Sequence, residues 1–396
     1  MSRVSNAVDA PTVLLPRPDR SVEAYRLSGR PVAPVAPPRA FNRVVYAAAH
    51  VVVDPLAETD PFNRSQIDWE RTLAFRASLW DLGLGVAEAM DTAQRGMGLD
   101  WPDALALIRR SAELARSRPD ARLASGCGTD QLAVQDVRSL DDVVRAYEEQ
   151  AEAIEGAGSQ LIVMASRALV RVARGPDDYA AVYERLLRQA RAPVVLHWLG
   201  PMFDPALAGY WGHDAVDDAM QVALDVIGTH ADKVDGIKIS LLDKDKEIAM
   251  RRRLPAGVRM YTGDDFNYPE LIAGDAEGHS DALLGAFAAI APVASAAFVR
   301  LAEGDRAGFL AQLAPTLPLA RHIFRSPTQY YKTGIVFLAY LNGHQDHFTM
   351  LGAQEGARST LHLAEAFRLA DRAGLLLDPA RAAARMGAIM AVRGVA

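Results

Sequence analysis

Cysteine is almost absent from this 396-residue chain. Cys127 stands alone, which excludes an internal disulfide framework and any cysteine-based zinc cage. Lysine is nearly as scarce: of 43 basic residues only Lys233, Lys238, Lys244, Lys246 and Lys332 are lysines, so each can be weighed singly. Basic charge is also in deficit. A net charge of −6 leaves no cationic surplus to neutralise a phosphate backbone, so no nucleic-acid partner is expected. No apolar run reaches the ~18 residues that a bilayer span needs. The proline- and arginine-broken start shows no basic-then-apolar leader pattern. No membrane partner and a cytoplasmic location are therefore expected.

Half of the residues are hydrophobic and 23% are charged, a balance that fits a globular protein with a sizeable core. Residues 1–42 are rich in proline and arginine and lack sustained periodicity, so they read as an extended arm with a short strand or two. From residue 43 short apolar runs alternate with stretches of helical spacing. Strands are expected to begin near 44, 85, 122, 160, 193, 235, 258 and 282, most of them followed by a helix. Ser139 can cap one of those helices, and Pro102 falls in the first turn of another. This alternation over 43–295 predicts an α/β fold, a (β/α)8 TIM barrel. An open doubly wound sheet is the competing architecture, but no GxGxxG follows the first strand. After residue 295 the pattern is helical alone, which gives a C-terminal helical extension over 296–396.

Lys238 sits near the end of an otherwise apolar strand, VDGIKIS. Barrel active sites are built from strand C-termini and the loops that follow them. Burial there disfavours the ammonium, lowers its pKa and frees the amine to attack a carbonyl. A lysine snorkelling to solvent is the plain structural alternative. Segments in order along residues 43–378 resemble the dihydrodipicolinate synthase / N-acetylneuraminate lyase superfamily of class I aldolase-type barrels. GIK at 236–238 resembles its Schiff-base strand, YTGDD at 261–265 its [SN]-G-x-D loop, and GVAEAMDTAQ at 85–94 its G-T-T-G-E turn. ASGCG at 124–128, VVLHWLGP at 194–201 and YYKTG at 330–334 resemble its A-G-[TV]-G, L-Y-N-x-P and P-V-K-x-A segments. The resemblance implies the barrel, an imine-forming Lys238, no cofactor, and a homodimer or homotetramer.

The departures from that pattern point to different chemistry. Where G-T-T-G-E binds the carboxylate of a 2-oxo acid, this chain places Asp91 beside Thr92. Two like charges ~4 Å apart repel by about 1 kcal/mol in water and about 4 kcal/mol at an effective dielectric near 20. A hydroxylated, neutral carbonyl compound therefore suits the site better than pyruvate. Glu88 can share in holding hydroxyls or stand as a structural acid paired with an arginine. His197 replaces the tyrosine of L-Y-N-x-P and, with an ordinary pKa near 6.5, is expected to move protons. Gly263 and Asp265 fall in the loop whose carboxylate holds substrate hydroxyls in the lyase branch. His279 and Asp281 in EGHSDALLG, and His50 at the end of the first strand, complete the expected polar pocket. Lys332 and Cys127 read as structural.

These readings predict a Schiff-base-forming lyase, aldolase or dehydratase whose partner is a small-molecule carbonyl substrate, in particular a sugar derivative. Lys238 is the expected nucleophile and His197 the proton shuttle; Asp91, Asp265 and Glu88 orient hydroxyls. One competing reading is a metal-dependent sugar isomerase or epimerase, with Glu88, Asp91, His50, His197, Asp265 and His279 around a divalent ion. The other is a non-catalytic sugar-binding barrel.

Overall fold

A computed structural model describes residues 10–37, 40–60, 62 and 66–395. Near the N-terminus, β1 (Thr12–Pro16) and β2 (Val22–Arg26) pair as an antiparallel hairpin. The remaining strands are all parallel: β3 (Val45–Ala48), β4 (Gly85–Glu88), β5 (Leu123–Cys127), β6 (Gln160–Met164), β7 (Val194–Leu199), β8 (Val234–Ser240), β9 (Arg259–Thr262) and β10 (Asp281–Leu284). They close in that order into a barrel because β10 pairs back onto β3. Each begins within one residue of the position read from its apolar run. The architecture is an α/β TIM barrel followed by a helical region.

Local sequence explains the surrounding helices. Asp68 and Asp100 accept backbone N–H bonds at the starts of helices Trp69–Asp81 and Trp101–Arg116. Ser139 does so for Leu140–Ala157, where Asp142 returns the bond in a capping box. The helix after β10 runs Ala286–Ala302, past the expected boundary at 295. Pro292 lies inside it, and the backbone departs from helical geometry at Ile290, so the proline kinks this helix and does not end it.

Strand register decides which side chains face inward. His197 pairs with both Met164 and Lys238, and Lys238 pairs with Tyr261. Neighbours in register share a face of the sheet. Met164 and Tyr261 belong to the small apolar cluster inside the barrel, with Tyr46, Ala87, Ala124 and Leu283. His197 and Lys238 therefore project into the same interior.

The arm is fastened to its own chain. Asp371, on helix Thr360–Arg372, accepts bonds from the Tyr25 hydroxyl at 2.7 Å and the Ser28 and Gly29 amides at 3.0 and 3.1 Å. Arg368 on the same helix pairs with Glu23 at 2.7 Å. Residues 1–9 of the expected arm lie outside the described residues. Among the described residues no helix is long and apolar enough to cross a membrane.

Candidate active site

Lys238 is buried inside the barrel wall, 8% exposed. Gly263, at the end of β9, makes room for it: a Cβ there would stand 2.9 Å from Lys238 Cε, 2.3 Å from Ser240 Oγ and 2.5 Å from the Ile239 carbonyl oxygen. Burial lowers the lysine pKa, while the nearby Asp91 and Asp265 carboxylates act to raise it. Asp265 is itself buried, and desolvation pushes its carboxyl up to about 7 against the opposing pull of the Ala286 amide and Lys238. That amide, the first of helix Ala286–Ala302, donates to Asp265 Oδ1 at 3.0 Å and fixes the carboxylate in place. Amine and carboxyl are thus both driven toward their neutral forms.

His197 lies beside Lys238 in register, with Nε2 3.3 Å from Ser240 Oγ. Its Nδ1 is buried and has no hydrogen-bond partner among the described residues. Burial, then the Lys238 charge, holds the imidazole well below its ordinary 6.5. At neutral pH it is therefore a neutral hydrogen-bonding group, which corrects the expectation of a shuttle titrating near 6.5. A cavity of about 290 Å³ opens beside it, lined by Asp91, Arg95, Asp130, Arg167, His197 and Asp204 among others.

The fourth member of the cluster comes from outside the barrel. Tyr331 begins helix Tyr331–Leu341 of the C-terminal region, and its hydroxyl lies 2.7 Å from Thr92 Oγ1. Burial raises its pKa well above 10, and Asp91 and Asp265 raise it further. The same two carboxylates thus act on both the phenol and the amine. Next in sequence, Lys332 is 3% exposed and donates to the Gln329 carbonyl at 3.0 Å. Burial lowers it to about 8, with Asp91 opposing.

Residues 13–395 match a family described as Protein of unknown function (DUF993). The chain belongs to that family. No curated protein matches it. Among solved structures it resembles a candidate dihydrodipicolinate synthetase from Pseudomonas aeruginosa (17% identity, TM-score 0.64, covering 84% of this chain and 100% of that one). The 4-hydroxy-tetrahydrodipicolinate synthase of Methylacidiphilum fumariolicum SolV gives 15%, 0.63, 84% and 95%. Dihydrodipicolinate synthase from Aquifex aeolicus gives 12%, 0.61, 85% and 99%. The likeness shows for this DUF993 chain the TIM-barrel fold of those structures.

Several expected site residues of this DUF993 chain fall elsewhere. Glu88 is on the outer face of β4, in register with Ser125, whereas its neighbour Ala87 points inward. Its carboxylate takes Arg76 Nη2 at 2.8 Å, Arg76 Nε at 2.9 Å and Ser111 Oγ at 2.6 Å, so nothing remains for a substrate. His279 and Asp281 stand at the start of β10. A loop that precedes a strand arrives at the amino-terminal face of a parallel barrel, opposite the face used for catalysis. There Asp281 accepts from the Val44 amide at 2.7 Å and lies 3.4 Å from Arg259. His50 is packed on Phe75, 4.4 Å between ring centroids, and bonded to Gln345 Oε1 at 3.0 Å. It fills the wall under the helices, and burial takes it down to about 3.

Lys238, His197, Asp91, Thr92, Gly263 and Asp265 do come together. The side chains weighed as metal ligands do not, because Glu88, His50 and His279 point elsewhere. Among the described residues no three His, Cys, Asp or Glu side chains converge in a way that could hold a metal ion. Trp198, the neighbour of His197, packs on Trp211, 6.5 Å between ring centroids. Cys127 is buried with its thiol pushed up to about 12, which leaves it unreactive.

Proposed function

We propose that this protein is a Schiff-base-forming lyase of the aldolase type acting on a hydroxylated carbonyl compound. One observation carries the reading: a desolvated lysine inside the barrel, under the influence of two carboxylates, with no ion pair to either among the described residues. Lys238 attacks the substrate carbonyl as a free amine, and the resulting carbinolamine loses its hydroxyl as water. Tyr331, a neutral phenol held by Thr92, donates the proton for that departure. The iminium then draws electrons from the neighbouring C–C bond. Asp265 takes the proton from the hydroxyl beyond that bond, the bond breaks, a carbonyl fragment leaves, and an enamine stays on Lys238. Asp265 gives its proton to the enamine carbon, and attack of water on the resulting iminium returns the proton of Tyr331 and releases the lysine and the second carbonyl product. Asp91 favours hydroxyls over a carboxylate at the same place.

Borohydride trapping tests the reading. Glycolaldehyde, dihydroxyacetone and pyruvate are each mixed with protein and borohydride, and peptides are read by mass spectrometry. A reduced adduct on Lys238, absent from Lys238→Ala, is expected with a hydroxylated probe. No adduct with any of the three overturns it.

A further inference from the structure

Lys332 and Asp91 are opposite charges held near one another with no bond between them. The Lys332 amine, 3% exposed, gives one N–H to the Gln329 carbonyl at 3.0 Å and turns a second toward Met97 Sδ, 3.2 Å away. An ammonium has three N–H groups, so one stays open. Burial lowers the amine only to about 8, and at neutral pH it is mostly cationic. Asp91 lines the cavity beside Lys238, and among the described residues no hydrogen bond or ion pair reaches its carboxylate. The fold brings the two together: helix Tyr331–Leu341 packs on the turn Asp91–Ala93, and their sequence neighbours Thr92 and Tyr331 bond at 2.7 Å. Burial acts first on Lys238, Tyr331 and Lys332, and the next influence on all three is this one carboxylate.

Desolvated charges that do not meet are costly unless a third group satisfies both. A carboxylate only accepts and an ammonium only donates. A hydroxyl does both, giving its hydrogen to Asp91 and taking one from Lys332. An anion between them loses to Asp91 what it gains from Lys332, and a cation does the reverse. Asp204 and Arg167 also act on Lys332, in opposite senses, and are joined to each other at 2.5 Å through Arg167 Nε. Among the described residues both Arg167 Nη groups stay unbonded, so an anionic far end of the substrate remains compatible with the cavity.

We propose that Asp91 and Lys332 together form a hydroxyl-binding subsite, and that the fragment held on Lys238 after bond cleavage is an α-hydroxy ketone. This rests on the reading that the carbonyl is bound at Lys238. Asp91 acts on both amines, so the group it holds sits a short chain away from the imine carbon, on the neighbouring carbon. That hydroxyl stays with the lysine-bound fragment, whereas the one that Asp265 deprotonates leaves with the other.

Hydroxyacetone and acetone differ by that hydroxyl alone. Each is mixed with protein and borohydride, and the yield on Lys238 is divided by the yield on the partly exposed Lys244 and Lys246, which report intrinsic ketone reactivity. Hydroxyacetone is expected to exceed acetone by at least about tenfold. Asp91→Leu and Lys332→Met should each cut that ratio by about tenfold, and the double variant should lose no more than either single, the mark of one shared hydroxyl. Equal yields in wild type, a ratio unmoved by Asp91→Leu, or additive losses each overturn the proposal. The wild-type and Asp91→Leu ratios decide it even where Lys332→Met fails to fold. Ligand-observed NMR of the same ketones without borohydride separates it from the imine reading. A binding preference for hydroxyacetone that Asp91→Leu abolishes, with no adduct on Lys238, would sink the imine reading alone. Adducts on Lys238 from both ketones in equal yield would sink this proposal alone.

Discussion

The Thr92 hydroxyl and the Tyr331 phenol lie 2.7 Å apart although 239 residues separate them in sequence. That contact joins the turn after β4 to a helix beyond the barrel, and it sets the phenol beside Asp91 and Asp265. Tyr331→Phe keeps the ring stacked on Phe324, 4.3 Å between centroids, and removes only the hydroxyl. It should lower kcat by about 10²-fold with little change in melting temperature. Thr92→Val, which leaves the phenol unoriented, should cost less. A Tyr331→Phe enzyme with unchanged kcat would remove the phenol from the mechanism.

Asp265 makes a pH prediction with a definite sign. Its carboxyl, raised to about 7, must be ionised to act as a base, so kcat/KM should climb through that pH. In Asp265→Asn the carboxylate that favours the Lys238 ammonium is gone, so any residual limb moves to lower pH while kcat falls about 10²-fold. Stability responds oppositely. A folded-state value raised above the ordinary 3.8 means the native state binds the extra proton, so stability falls as pH rises from about 4 to about 7. Asp265→Asn should flatten that decline, as followed by urea denaturation across the pH range.

Glu88 and Arg76 are both fully buried and ion-paired at 2.8 Å. Arg76→Met leaves the carboxylate uncompensated and should cost about 3–5 kcal/mol of stability, while the folded fraction keeps its KM. A rise in KM without destabilisation would return Glu88 to the substrate.

Gly263→Ala tests the close passage of Lys238 over β9. The new methyl would stand 2.5 Å from the Ile239 carbonyl oxygen and 2.9 Å from Lys238 Cε, and the backbone oxygen cannot move as a side chain can. Adduct formation on Lys238 should fall at least about tenfold, with a stability loss of about 1–3 kcal/mol. Full trapping efficiency would show that the lysine does not depend on this gap.

Much of this was legible from residue order. Short apolar runs with a helix between them marked every barrel strand to within a residue, because a strand buried on both faces must be apolar throughout. Lys238 could be singled out because lysine is rare here and because it interrupts such a run. The misplacements have equally physical causes. Glu88 follows Ala87 directly, and the two-residue period of a strand turns neighbours to opposite faces, so only one of the two can face the interior. His279 and Asp281 precede their strand, which sends them to the other end of the barrel. Tyr331 and Lys332 were beyond reach, since no local pattern tells a helix which distant loop it will meet. YYKTG was readable as a helix start and not as a source of a buried phenol and a buried amine.

Helix Tyr331–Leu341 is buried at every position. Because it carries the phenol, a chain stopped at residue 302 would keep every strand of the ring and Lys238 yet, on the proposed mechanism, lack its acid. On the proposed mechanism, exchanging the tail of this protein would also exchange its proton donor.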